Sequence, residues 1–149
     1  MRAKNEEPDN SMTESAAFVL DSFALLAYLQ DESVAPHIEK LLENATKEKC
    51  RLFVSMINLG ELLYITERRG GVAKAQDVLA IIRQLPIAIM SVDEQTVFAA
   101  AHIKANHAIS YADCFAVVTA IQEDAIIITG DPEFQSVEAL VKVEWLQTP

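Results

Sequence analysis

Four acidic residues stand where an α/β chain could gather them at one place. Asp21 ends the apolar run Phe18-Val19-Leu20, and Glu61 lies inside an apolar helical stretch. Asp113 opens a second such stretch, and Asp131 follows the strand-like run Ala125 to Thr129. Carboxylates brought together repel one another, so a fold that assembles four must neutralise them with protons or metal. An all-oxygen donor set suits hard divalent cations, Mg²⁺ or Mn²⁺.

Each acid also has a plainer reading. Asp21 fits the N-cap of a helix starting at Ser22, and Ser110-Tyr111-Ala112-Asp113 fits a capping box. Asp131 before Pro132 fits a turn or N-cap with proline at the first helical position. Glu61 resists such a reading. It sits among Leu59, Leu62, Leu63 and Ile65, where a buried lone carboxylate is costly unless paired or bound to metal. Asn58, three residues earlier on the same helical face, could bind a water or orient that carboxylate. Other chemistries fail on specifics. There is no phosphate loop or dinucleotide glycine fingerprint, and His37, His102 and His107 have no metal-ligand spacing. No serine or cysteine sits in a nucleophile elbow.

The segments around these acids alternate between strand and helix. Phe18–Leu20, Arg51–Ser55, Ile87–Ser91 and Ala125–Thr129 read as buried strands, and Val141–Leu146 as an edge strand. Helical spacing covers Ser22–Leu29, the run Ile38, Leu41, Leu42 and Ala45, then Met56–Arg69 and Ala73–Leu85, which Gly70-Gly71 separates. Two more helices follow, one ending near Asn106 and one carrying Ala112, Phe115, Ala116 and Thr119. This order predicts an α/β/α sandwich around a mainly parallel sheet. Ligands in such sheets bind beyond the carboxyl ends of the strands, where Asp21 and Asp131 fall.

At 149 residues and 51% hydrophobic, the chain can bury a core without disulfides or a structural metal. Cys50 and Cys114 have no redox or ligand spacing; they read as core fillers and point to a reducing cytoplasm. No run is apolar enough to span a membrane and the N-terminus is not a signal sequence, so a soluble cytoplasmic protein is expected. Residues 1–15 read as a disordered tail, with Met12 a candidate start, and 16–149 as one domain. A net charge of −10 argues against a general nucleic-acid-binding surface, although bound cations would reverse the field at an acidic site. Arg68, Arg69 and Lys74 bunch around Gly70-Gly71, with Lys104 and His107 further on. Cations at a helix C-terminus complement its dipole without any further role.

Four segments together carry a resemblance. They are Val19-Leu20-Asp21-Ser22, Ser55-Met56-Ile57-Asn58-Leu59-Gly60-Glu61-Leu62, Ser110 through Ala116, and Ile128-Thr129-Gly130-Asp131-Pro132-Glu133-Phe134. From about Phe18 to Leu146 the chain resembles a PIN domain, in particular the VapC-type toxins of toxin–antitoxin pairs. The resemblance implies a Mg²⁺- or Mn²⁺-dependent endoribonuclease, usually a homodimer, silenced by a small VapB-like antitoxin. It implies that Asp21, Glu61, Asp113 and Asp131 are the four acids, with Ser22 and Thr129 as accessory hydroxyls and Glu133 as a possible further acid. Cys114 stands where the family usually has alanine. On this reading Arg68, Arg69 and Lys74 become candidate RNA contacts. Two alternatives stand beside it: a binding module on the same fold that holds metal or a basic partner without turnover, and an acidic scaffold in which the acids only cap and turn.

Overall fold

The computed structural model describes residues 15–147. The tail expected over residues 1–15, Ser15 excepted, lies outside the described residues, as does Met12. Five strands run β1 (Ala16–Leu20), β2 (Cys50–Ser55), β3 (Ile87–Met90), β4 (Ile126–Thr129) and β5 (Val143–Trp145). Six α-helices accompany them: α1 (Ser22–Leu29), α2 (Ala35–Thr46), α3 (Met56–Gly70), α4 (Val72–Gln84), α5 (Glu94–Asn106) and α6 (Tyr111–Glu123). A 3-10 helix, Pro132–Val137, follows β4.

All strand pairs are parallel, in the order β3-β2-β1-β4-β5. Side chains alternate across the sheet, as the two-residue strand period requires. Leu20, Leu52, Val54 and Ile128 face one core with α1, α2, α3 and α4. Val19, Phe53 and Ile127 face the other, with α5, α6 and the 3-10 helix. The predicted three-layer sandwich is therefore the observed one. Both cysteines are free and buried in these cores, as expected of fillers.

Local sequence accounts for the helix ends. Ser55 caps α3 through the Ile57 N–H, and Pro36 starts α2 where no amide partner is needed. Gly71, at φ +87°, ends α3 and turns the chain into α4, a backbone angle that favours glycine. Helix α6 is buried at every residue from Asp113 to Ala120. It packs on β1, β2, β4, α3 and α5. A helix apolar around its circumference must lie inside a domain. Among the described residues, no helix is long and apolar enough to cross a membrane.

Expected and observed boundaries differ by a residue or two except at two places. Expected edge strand Val141–Leu146 is formally three residues, yet its ladder runs on: the Ile127 amide bonds the Lys142 carbonyl and the Leu146 amide the Thr129 carbonyl. The 3-10 helix went unforeseen beyond its Asp131-Pro132 start, because one short turn carries no hydrophobic period.

The chain enters the sheet at its centre, builds β2 and β3 to one side, and returns with β4 on the other. The order thus reverses between β1 and β4, and in open α/β sheets ligands bind at the carboxyl ends of such a switch point.

Candidate metal centre

Asp21, the first residue after β1, is buried at 1% exposure and caps α1. Its Oδ1 accepts the Ala24 N–H at 2.8 Å, and its Oδ2 accepts the Thr129 hydroxyl at 2.5 Å. One carboxylate therefore caps a helix and ties β1 to β4. Burial pushes the carboxyl up from 3.8 to about 7, with the charges of Asp113 and Asp131 adding to the rise; the Thr129 and Ala24 hydrogen bonds oppose it.

Asp113 sits in the first turn of α6, capped by Ser110. The Ser110 hydroxyl accepts the Asp113 N–H at 3.3 Å and donates to Asp113 Oδ2 at 2.8 Å. Burial again pushes the carboxyl up to about 7, and Asp131, Glu61 and Glu133 add to it by repulsion. Asp131 caps the 3-10 helix through the Glu133 N–H at 3.0 Å, while its own N–H donates to Thr129 Oγ1 at 3.0 Å. Asp21 and Asp131 cap helices as read, and at Asp113 the cap is Ser110, whose hydroxyl, in place of the backbone N–H of a full capping box, donates to the carboxylate. These caps do not exclude a site, because the three converge and leave oxygens over. Among the described residues, nothing hydrogen-bonds Asp113 Oδ1 or Asp131 Oδ2.

Asp113, Asp131 and Glu133 each offer a carboxylate oxygen within 4.8 Å of the other two. Of the five acids named from sequence, the structure brings these three closest. Asp21 stands behind them with both oxygens engaged. Glu61 acts on Asp113 through its charge. Glu61 is partly rather than fully buried on α3, and the Ser22 hydroxyl donates to its Oε1. Asn58 is fully buried, but it does not orient Glu61. Its Nδ2 donates to the Ala112 carbonyl at 3.2 Å, pinning α3 to the start of α6, and its Oδ1 has no partner among the described residues.

The cations stand apart from the acids. Arg68 lies 5.1 Å over the Tyr64 ring, and Arg69 and Lys74 border an apolar groove of about 300 Å³ with Leu26, Leu29, Val78 and Ile81. Along α3, Arg69 is eight residues beyond Glu61, about 12 Å at the helical rise. Lys104 holds the α5–α6 connection by donating to the Ile109 carbonyl at 2.8 Å, and His107 Nδ1 bonds the Ser136 carbonyl at 3.0 Å. Ser110 is the polar residue whose part was understated from sequence; its hydroxyl fixes the Asp113 carboxylate, and the Ser-x-x-Asp spacing was the signal.

The donor set fits a hard divalent cation. Its atoms are all oxygens, at a spacing one ion can span, and their mutual repulsion favours a counterion.

No curated protein matches the chain in sequence. Among solved structures, VapBC2 from Rickettsia felis, bound to a DNA fragment from its promoter, superposes with a TM-score of 0.69 at 18% identity, covering 88% of this chain and 99% of that one. DNA-bound VapBC from Salmonella typhimurium gives 0.69 at 18% identity, covering 89% and 99%. VapC20 from Mycobacterium tuberculosis, a sarcin–ricin loop cleaving toxin, gives 0.64 at 17%, covering 82% and 95%. At such identities the likeness speaks for the fold. The PIN domain family model matches residues 18–140, most of the chain, and the protein belongs to the PIN domain family.

Proposed function

We propose that the protein is a divalent-metal-dependent endoribonuclease, the toxin of a VapBC-like toxin–antitoxin pair. The observation that carries the reading is the meeting of Asp113, Asp131 and Glu133 within 4.8 Å at the β1/β4 crevice of a PIN domain chain. Supporting it, several structural neighbours are VapBC complexes, and one is a toxin described as cleaving the sarcin–ricin loop.

On this reading Asp21, Asp113 and Asp131, with Glu61 and Glu133 beside them, hold Mg²⁺ or Mn²⁺. A cation of this kind polarises a phosphodiester and acidifies water. The chain's own part is geometric. Thr129 fixes Asp21 relative to Asp131, Ser110 fixes Asp113, and Ser22 leaves one Glu61 oxygen available to hold an ion or accept a proton from the attacking water. Arg68, Arg69 and Lys74 are proposed RNA contacts, at one remove from the acids. A VapB-like antitoxin, assembly as a homodimer and a cytoplasmic location complete the proposal. An antitoxin arginine or lysine entering the acidic crevice would silence it by charge-assisted hydrogen bonds.

RNA cleavage by the pure protein, with Mn²⁺ and with chelator, tests this. Cleavage that chelator abolishes and Mn²⁺ restores is expected. Mn²⁺ binding without cleavage of any RNA would make the chain a binding module instead, and no Mn²⁺ binding would remove the metal reading.

A further inference from the structure

The Thr129-Gly130-Asp131 turn joins the two hydrogen bonds that hold the acidic crevice together: Thr129 donates to Asp21, and the Asp131 N–H donates back to Thr129. Gly130, between them, has its Cα face covered by Phe23. A Cβ at Gly130 would lie 2.4 Å from Phe23 Cε1, 2.7 Å from Cζ and 3.3 Å from Cδ1. Carbon atoms in ordinary contact sit about 3.5–4.0 Å apart, so no side chain fits there without displacement. Phe23 is itself in the first turn of α1, two residues after Asp21, and its ring packs against the core.

We infer that Phe23 and Gly130 form a positioning pair that sets Asp131 against Asp21. This rests on the metal-site reading above and adds two apolar positions to it. The ring bridges the carboxyl ends of β1 and β4. Its base is fixed by α1, whose cap is Asp21, and its edge lies on the residue preceding Asp131. Phe23 is partly buried with its ring against the core, so a methyl group at Gly130 displaces the ring edge and the turn together, and whatever the turn yields moves Asp131. A shift of about 1 Å in such a site can cost ~10²-fold in rate. Phe23 and Gly130 touch no reacting atom; they act through Asp131.

The test uses the full chain and its Gly130→Ala, Phe23→Ala and double variants, measured for Mn²⁺ dissociation constant, RNA cleavage at saturating Mn²⁺, and hydrogen exchange of the Asp131 amide. Gly130→Ala is expected to weaken Mn²⁺ binding by about 10–100-fold, the range seen when groups that orient metal ligands are lost. Phe23→Ala/Gly130→Ala should regain about 10-fold or more of that loss, because the clash is absent. Phe23→Ala alone should speed Asp131 amide exchange, since the turn loses its cover while Gly130 is intact. This last readout stands even if Gly130→Ala does not fold. Wild-type Mn²⁺ affinity in Gly130→Ala, no recovery in the double variant, or unchanged Asp131 exchange in Phe23→Ala would each overturn the pairing. A wild-type chain that binds no Mn²⁺ while Phe23→Ala still speeds Asp131 exchange would instead sink the metal site and leave the pairing standing.

Discussion

Thr129 and Asp21 lie 108 positions apart in the chain, yet the Thr129 hydroxyl donates to Asp21 Oδ2 at 2.5 Å. The same Thr129 oxygen accepts the Asp131 N–H at 3.0 Å, so one hydroxyl holds the acids at the ends of β1 and β4 in fixed relation. Both Asp21 and Thr129 are buried, which makes the bond costly to lose. Thr129→Val should destabilise the protein by about 1–3 kcal/mol at a pH where Asp21 is ionised, and should raise the Asp21 carboxyl further. Urea unfolding near pH 8 and carboxyl titration by NMR measure the two effects.

Stability should also depend on pH in a defined window. Asp21 and Asp113 are both raised from 3.8 to about 7. Between those values the folded chain holds protons that the unfolded chain has lost, so metal-free stability is highest at the acid end and falls as pH rises through about 7. Melting scans of the metal-free protein should give a lower midpoint at about pH 8 than at about pH 5.5, with Mn²⁺ raising it more at the higher pH, where protons no longer compete. A flat profile would contradict the raised carboxyls.

Replacing an acid by its amide separates capping from metal binding. Asn caps a helix nearly as well as Asp, so Asp113→Asn and Asp131→Asn should fold with equal or higher metal-free stability, while Asp21→Asn keeps one acceptor for Ala24, loses the one for Thr129 and gains only the relief of charge repulsion. Each should lose RNA cleavage and at least the ~10–100-fold in metal affinity typical of losing a ligand's supporting group. Mn²⁺ at about 100 times its dissociation constant stabilises a folded protein by ~2.7 kcal/mol, so the variants should lose most of the Mn²⁺-induced rise in melting temperature. A metal response unchanged in Asp21→Asn would leave only the caps.

RNA binding should be weakly salt-dependent. With a net charge of −10 and three bunched cations, single-stranded RNA should bind with a log–log salt slope of about −2, from roughly 0.7 per phosphate contact. Arg68→Ala/Arg69→Ala/Lys74→Ala should flatten that slope in filter-binding titrations. A steep wild-type slope would place the contacts elsewhere.

The sheet and its helices were legible in sequence because each layer leaves its own period. Mostly apolar runs of three to five residues became β1 to β4, and Ser55 and Ser110 stand at helix starts as capping chemistry requires. What periodicity does not carry is which way an isolated polar residue faces. Glu61 lies among leucines, but it takes the rim of α3 beside Ser22, whereas Asn58 one turn earlier takes the buried side against α6. Both looked alike in the pattern. The close grouping of Asp113 and Asp131 with Glu133, rather than with Asp21, depends on the 3-10 turn after Asp131, whose geometry no sequence period announces. Arg69 and Lys74 read as a basic patch, while their neighbours across the α3–α4 turn are largely apolar.

The entry of the chain at the middle of the sheet has a consequence for its synthesis. A chain emerging from the ribosome N-terminus first can pair β1 with β2 and β2 with β3, but the opposite flank of β1 stays open until β4 has been made. Asp21 meets neither Thr129 nor Asp131 before then. The first three strands therefore cannot assemble the acidic site by themselves; it waits on residues 110–133, which bring Asp113, Thr129 and Asp131 to Asp21.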